Sequence, residues 1–210
     1  MKLKVCGMRE PTNIVAVAAL QPDYLGFIFY DRSKRYVPAE TLLPHVSASI
    51  QKVGVFVNAS FQQIIDRIEK FQLEVVQLHG EEPPALCAQL QAAGLTVVKV
   101  FGIGNTFDFK VLSAYEKVVD FFLFDTKGEE RGGNGQSFNW ELLRTYPSKV
   151  PLWLSGGISL GNIEHLLELI ERLQLPVHAI DVNSRFEVMA GLKDVQKIKK
   201  LKTVIDLKKS

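Results

Sequence analysis

Two kinds of segment alternate along the chain. Short runs that are apolar almost throughout occur at residues 3–6 (LKVC), 24–30 (YLGFIFY), 52–57 (KVGVFV), 74–79 (EVVQLH), 96–101 (TVVKVF), 121–125 (FFLFD), 151–156 (PLWLSG) and 177–182 (VHAIDV). Continuous rather than alternating hydrophobicity marks strands covered on both faces. Between and after them lie segments with apolar residues at i, i+3, i+4 spacing: NIVAVAAL, AETLLPHV, FQQIIDRIEKF, PALCAQLQAAG, FKVLSAYEKV, WELLRTY, NIEHLLELIERL and DVQKIKKLKTVIDLKK. That spacing predicts amphipathic helices. Helix-start signals precede several of them: Pro11-Thr12-Asn13, Pro38-Ala39-Glu40, Asn58 to Ser60 and Pro83-Pro84. Gly94 sits where a helix-ending glycine belongs.

The expectation is therefore eight strands and eight helices in strict alternation. Such alternation gives parallel strands joined by crossover helices. Eight units predict an α/β fold, a compact (β/α)8 TIM barrel, in preference to an open doubly wound sheet with fewer strands. With 210 residues against the ~250 typical of such barrels, loops must be short, and residues 1–210 are expected to form one domain.

Composition narrows the class. A hydrophobic fraction of 47% supplies a sizeable core, and a net charge of +2 advertises neither nucleic acid nor an anionic membrane. No apolar run approaches the ~18 residues of a spanning helix, and the first residues lack the apolar core of a signal peptide. Cys6 and Cys87 form neither a disulfide framework nor a metal-type spacing. The expectation is a soluble, reduced, cytoplasmic protein that acts on a small molecule, as a monomer or homodimer. The lysine-rich tail keeps helical spacing and is a solvated helix face.

Barrel enzymes carry their chemistry at the C-terminal ends of the strands. There this chain places Cys6-Gly7, Arg35 (just after the second strand), Asn58, His79-Gly80, Asp125, Ser155-Gly156-Gly157 and Asn183-Ser184. Each has an ordinary structural explanation alone: a buried thiol, a cap, a tight turn. Their coincidence on one face points to a site. The loops after the seventh and eighth strands of a barrel commonly hold phosphate through backbone N–H groups, which directs attention to Gly156, Gly157 and DVNSRFE. The stretch KGEERGGNGQSFNW (127–140) is long for so economical a chain and is expected to be a flexible lid.

Taken together, KVCGM, GFIFYDRSKRYV, VGVFVN, VQLHGEE, FDTKGEERGGNGQSFNW, LSGGI and DVNSRFE…GLKD, in order from residue 4 to 194, resemble the phosphoribosylanthranilate isomerase family of tryptophan biosynthesis. The resemblance implies an Amadori rearrangement of N-(5'-phosphoribosyl)anthranilate with no metal or redox cofactor. It implies Cys6 as general base, Asp125 as general acid and Arg35 as anchor for the anthranilate carboxylate. His79 would line the substrate site, and Gly156, Gly157, Asn183, Ser184 and Arg185 would hold the phosphate. The chain departs from the family pattern at Arg9, where threonine is frequent. It departs again at Asn183-Ser184-Arg185, where Ser-Ser-Gly is frequent, and at Gly132-Gly133-Asn134-Gly135 in place of GGTG. Two other functions are weighed against this one: the sister aminoaldose isomerase of histidine biosynthesis, and a non-catalytic barrel that binds a phosphorylated ligand.

Side chains two apart on a strand share a face. If Cys6 faces substrate, Lys4 faces the barrel interior and needs a partner. Closure brings the eighth strand beside the first, and the expectation is a buried Lys4–Asp181 pair.

Overall fold

A computed structural model describes residues 1–126 and 138–208. Strands β1 (Lys2–Val5), β2 (Tyr24–Ile28), β3 (Gln51–Phe56), β4 (Val75–Leu78), β5 (Thr96–Ile103), β6 (Phe121–Thr126), β7 (Leu152–Leu154) and β8 (Val177–Val182) pair in chain order. All pairings are parallel, and β8 closes onto β1 with Lys4 opposite Asp181. The protein is a (β/α)8 barrel. Of the glycine-rich segment expected as a lid, residues 127–137 lie outside the described residues.

The crossovers are less regular than the apolar spacing suggests. Among the described residues there are five α-helices: α1 (Pro11–Ala18), α2 (Phe61–Phe71), α3 (Pro84–Ala92), α4 (Ile163–Arg172) and α5 (Val195–Leu207). Their ends follow local chemistry. Ser60 and Gln63 form a reciprocal capping box on α2, and Gly94 takes φ +82° just past α3. Three expected helices are corrected. Residues 39–46 (AETLLPHV) contain none, since Pro44 lacks an N–H and its ring would clash one turn back. The segments FKVLSAYEKV and WELLRTY form only 3₁₀ turns, Phe109–Ala114 and Trp140–Thr145. One element was not anticipated. After a 3₁₀ turn over Ser184–Phe186, β9 (Glu187–Met189) and β10 (Leu192–Lys193) make an antiparallel hairpin. Its Gly191 has φ +85°.

Inside the barrel, side chains alternate inward and outward with period two. The inward residues form an apolar plug of Tyr24, Val53, Val75, Val98, Val100, Leu123, Trp153 and Ala179. Trp153 lies 4.6 Å from the Tyr24 ring, centroid to centroid. Towards the C-terminal ends of the strands the inward positions turn polar, with Lys4, Gln77, Asp181, Cys6, His79 and Asp125. Lys4 has no solvent exposure and donates at 2.6 Å to both Asp181 Oδ2 and Gln77 Oε1. A second buried pair, Lys99 Nζ to Glu82 Oε2 at 2.8 Å, ties β5 to the loop after β4. Outward side chains pack beneath the helices in the larger apolar cluster.

Burial alone works against the Lys4 ammonium. The Asp181 carboxylate, with Cys6 behind it, outweighs that effect and holds the Lys4 pKa above the ordinary lysine value. The Lys4→Met variant leaves Asp181 buried without its partner, and about 3–5 kcal/mol of stability should be lost. A group with a raised folded pKa contributes fully below its unfolded value and loses that contribution as pH rises through the folded one. The gap between wild type and Lys4→Met in urea unfolding should therefore hold constant through neutral pH and close only at strongly alkaline pH. A gap under about 1 kcal/mol at neutral pH would show that the pair is not a stabilising one.

Candidate active site

The C-terminal ends of the strands surround a cleft. Cys6, Arg35, His79, Asp125, Gly156, Gly157, Asn183, Ser184 and Arg185 all line it. Each is held there by the barrel. The Cys6 N–H continues the ladder to Val182 O at 2.9 Å, and that of His79 to Phe56 O at 2.8 Å. Arg35 is fixed where the loop after β2 folds back, with Val37 N bonded to Ile28 O at 2.9 Å. Asp125 stands inside β6, opposite Gly102 of β5.

Space for the thiol comes from Gly26 of β2. A Cβ there would fall 2.9 Å from both Cys6 Sγ and Lys4 Cε, so the thiol and the lysine stem pack against bare backbone. Burial pushes the Cys6 thiol up. Lys4 pulls it back, Asp181 pushes with burial, and Lys193 pulls more weakly; the result lies above the ordinary thiol value.

The carboxylate opposite belongs to a directional chain. Lys4 can only donate, so it assigns the near atom of Gln77 as oxygen. The Gln77 amide nitrogen then faces His79 Nδ1 at 3.5 Å as donor. His79 in that tautomer carries its proton on Nε2, which lies 3.5 Å from Asp125 Oδ2. Asp125 Oδ1 accepts from Thr126 N at 2.9 Å. Three barrel strands, β1, β4 and β6, thereby orient one carboxyl group, which is 8% exposed at the cleft floor.

Arg35 is not free. Glu187 grips it in a fork, with Nε to Oε1 at 2.9 Å and Nη2 to Oε2 at 2.7 Å. These bonds raise the Arg35 pKa although burial opposes them. Burial would raise Glu187, but Arg35 and Lys193 together bring it below the usual carboxylate value.

At the far side, Gly156 and Gly157 take φ +88° and +62°, turning the chain sharply at the end of β7. Asn162 braces that turn, accepting from Ser159 N at 2.8 Å and donating to Gly157 O at 3.0 Å. In the facing loop, Arg185 stands where a glycine is frequent. It needs no positive φ, because Ser184–Phe186 takes a 3₁₀ turn instead.

Sequence reasoning missed Gln77, Glu187 and Lys193 as parts of the site. Gln77 was detectable as a polar residue two before His79 in an oily strand. Glu187 and Lys193 are brought against the cleft residues Arg35 and Asn183 by a hairpin that the pattern did not reveal.

A closed eight-stranded barrel with a thiol, a carboxyl group, an arginine and glycine turns at one mouth is an enzyme architecture of the (β/α)8 class. Comparison with known proteins specifies it further. The family model for N-(5'-phosphoribosyl)anthranilate (PRA) isomerase matches residues 3–203. The isomerase of that name from Parabacteroides distasonis is 45% identical over 204 residues, covering 95% of this chain and 90% of the relative. The crystal structure of phosphoribosyl anthranilate isomerase from Thermotoga maritima is 33% identical, with a TM-score of 0.79 over 95% of each chain. Another solved structure, 30% identical with a TM-score of 0.75 over 95% of each chain, is of that isomerase in complex with reduced 1-(o-carboxyphenylamino)-1-deoxyribulose 5-phosphate. The chain belongs to the N-(5'-phosphoribosyl)anthranilate isomerase family and is an isomerase of tryptophan biosynthesis. No helix among the described residues is long and apolar enough to cross a membrane.

The raised Cys6 pKa can be checked without substrate. Alkylation of Cys6 by iodoacetamide, followed by mass spectrometry so that Cys87 is read separately, should accelerate with pH to a midpoint above that of a free thiol. A midpoint at or below the free-thiol value would contradict the balance of burial over Lys4 described here.

Proposed function

We propose that the cleft converts N-(5'-phosphoribosyl)anthranilate to 1-(2-carboxyphenylamino)-1-deoxyribulose 5-phosphate, with Asp125 as general acid and Cys6 as general base. The observation that carries this reading is the placement of a buried thiol and a hydrogen-bonded carboxyl group on different walls of one cleft. That cleft has an arginine at one side and glycine turns at the other.

The chemistry follows from the positions. Protonated Asp125 gives its proton to the ring oxygen, the C1–O bond breaks, and the sugar opens to an iminium. The Cys6 thiolate takes the C2 proton, and the C–H electron pair forms the enolamine. A proton leaves O2 as one is delivered to C1, giving the ketone. No atom is gained or lost, and proton exchange restores Asp125 to its carboxylic acid and Cys6 to its thiolate. A free thiol is only a few per cent ionised at neutral pH, so a base of this kind gains from Lys4 beside it. Arg35 presents the part of its guanidinium not held by Glu187 to the anthranilate carboxylate. Backbone N–H groups of Gly156 and Gly157, with Asn183, Ser184 and Arg185, hold the phosphate. His79 lines the site and presents its Nε2 proton to Asp125.

Fluorescence loss of N-(5'-phosphoribosyl)anthranilate generated in situ reports turnover. Cys6→Ser and Asp125→Asn should each lower kcat by ~10²–10⁴, the range for loss of a general base or acid, with ligand binding nearly intact. Arg35→Ala should raise KM by an amount equivalent to about 1.5–3 kcal/mol. Full turnover by Cys6→Ser would remove the thiol from the mechanism, and an unchanged KM in Arg35→Ala would remove the anchor. Failure of the wild type itself, with turnover of the bisphosphorylated aminoaldose substrate of histidine biosynthesis, would move the activity to the sister isomerase.

A further inference from the structure

The hairpin β9–β10 carries a charged side chain that the mechanism above does not use. Lys193 is fully buried at its side chain, with its ammonium 2.6 Å from Asn183 Oδ1 and 2.6 Å from Glu187 Oε1. Asn183 belongs to the loop assigned to phosphate. Glu187 is the residue that forks Arg35. We propose that Lys193 is a positioning residue of the isomerase, a single buried ammonium that ties the phosphate loop to the arginine anchoring the anthranilate carboxylate. The inference rests on the functional reading above and adds a residue to it.

Three features show that the ammonium is placed and not merely accommodated. Its backbone is locked from both sides by Asn13 of α1, which accepts from Lys193 N at 2.7 Å and donates to Lys193 O at 2.9 Å. Its partner Glu187 is the residue facing it across the hairpin, and Glu187 is held again by Gly191 N at 3.0 Å. The cluster also converges on the end of β1. A Cβ on Gly7, the residue after Cys6, would fall 2.6 Å from Asn183 Oδ1 and 2.7 Å from Arg35 Cδ. The oxygen that accepts from Lys193 thus packs beside the glycine that follows the thiol. Two neighbouring cations, Lys193 and Arg35, share one anion, Glu187, so the cluster keeps a positive charge for an anionic ligand.

The energetics point the same way. Burial draws the Lys193 pKa down to about 8 despite Glu187. Its charged form is therefore less favoured in the fold than in water. A cation retained at such a cost to stability is characteristic of a functional position. Cys6 is the nearby titrating group, and it is faced by Lys4 of β1, Asp181 of β8, Arg35 of the loop after β2 and Lys193 of β10. Of these, Lys4 is committed to Asp181.

Lys193→Met keeps the length and removes the charge. Its consequences can be read on the whole chain without turnover. Inorganic phosphate and anthranilate, each titrated calorimetrically, should bind about tenfold more weakly to it than to wild type, since Asn183 loses its donor and Glu187 holds Arg35 unopposed. The pH midpoint of Cys6 alkylation should rise. The melting temperature should not fall in proportion, which separates positioning from a structural role. Asn183→Ala cuts only the phosphate arm and serves if Lys193→Met does not fold: phosphate binding should weaken while the Cys6 midpoint stays. Wild-type ligand affinities and Cys6 midpoint in Lys193→Met overturn the proposal, as does undiminished phosphate binding in Asn183→Ala. Absence of turnover by the wild type would count against the functional reading instead, and the alkylation midpoints would still test Lys193.

Discussion

One ammonium group inside the barrel sets the order of everything above it. Lys4 is fully buried, 5.9 Å from the Trp153 ring, and Asp181, meeting it across the β1–β8 seam, favours its charged form. A buried unpaired charge would cost several kcal/mol, so the seam must close in this register for the fold to persist. Once closed, the pair has directional consequences. The lysine assigns the Gln77 amide, the amide assigns the His79 tautomer, and the tautomer presents a proton to Asp125. On its own strand the lysine stands two residues before Cys6. The group that stabilises the barrel floor thereby acts on both the acid and the base of the proposed chemistry.

The mouth above that floor is zoned by charge. Around Arg35, the cations outnumber the anion that holds them, which suits a carboxylate ligand. Across the cleft, the glycine turn after β7 and the 3₁₀ turn after β8 form the end proposed for the phosphate. The thiol sits below the surface, where burial raises its pKa and the nearby Lys4 and Lys193 ammoniums oppose that rise. In the proposed reaction this division would hold one molecule at both ends with its C1–C2 region over Cys6 and Asp125.

Much of this was legible in the sequence, and the reasons are physical. Strands covered on both faces must be continuously apolar, so the eight strands stood out. Period two, applied to Lys4 and Cys6 and to a closed barrel, was enough to predict the Asp181 partner that the structure shows. The misreadings share a cause as well. Apolar spacing in residues 39–46 looked helical, but Pro44 breaks the hydrogen-bond ladder. The segments 109–118 and 140–146 have helical spacing yet form only 3₁₀ turns. Glu187 and Lys193 were invisible because their meaning lies in an unforeseen hairpin, which sets Glu187 against Arg35, distant in the chain, and Lys193 back against Asn183. Periodicity reports which face a side chain takes on its own element; it does not report what another loop brings to meet it.

The central claim is geometric: thiol and carboxyl group address different atoms of one substrate. A crystal structure of this chain with reduced 1-(o-carboxyphenylamino)-1-deoxyribulose 5-phosphate tests it most directly. The account predicts Cys6 Sγ in contact with C2 and an Asp125 oxygen within hydrogen-bonding reach, ~2.6–3.2 Å, of the oxygen that closes the sugar ring. The phosphate should lie on Gly156 and Gly157 and the carboxylate on Arg35. A ligand bound with its C2 turned away from Cys6, or with its ends exchanged between the arginine and the glycine turns, would contradict the account.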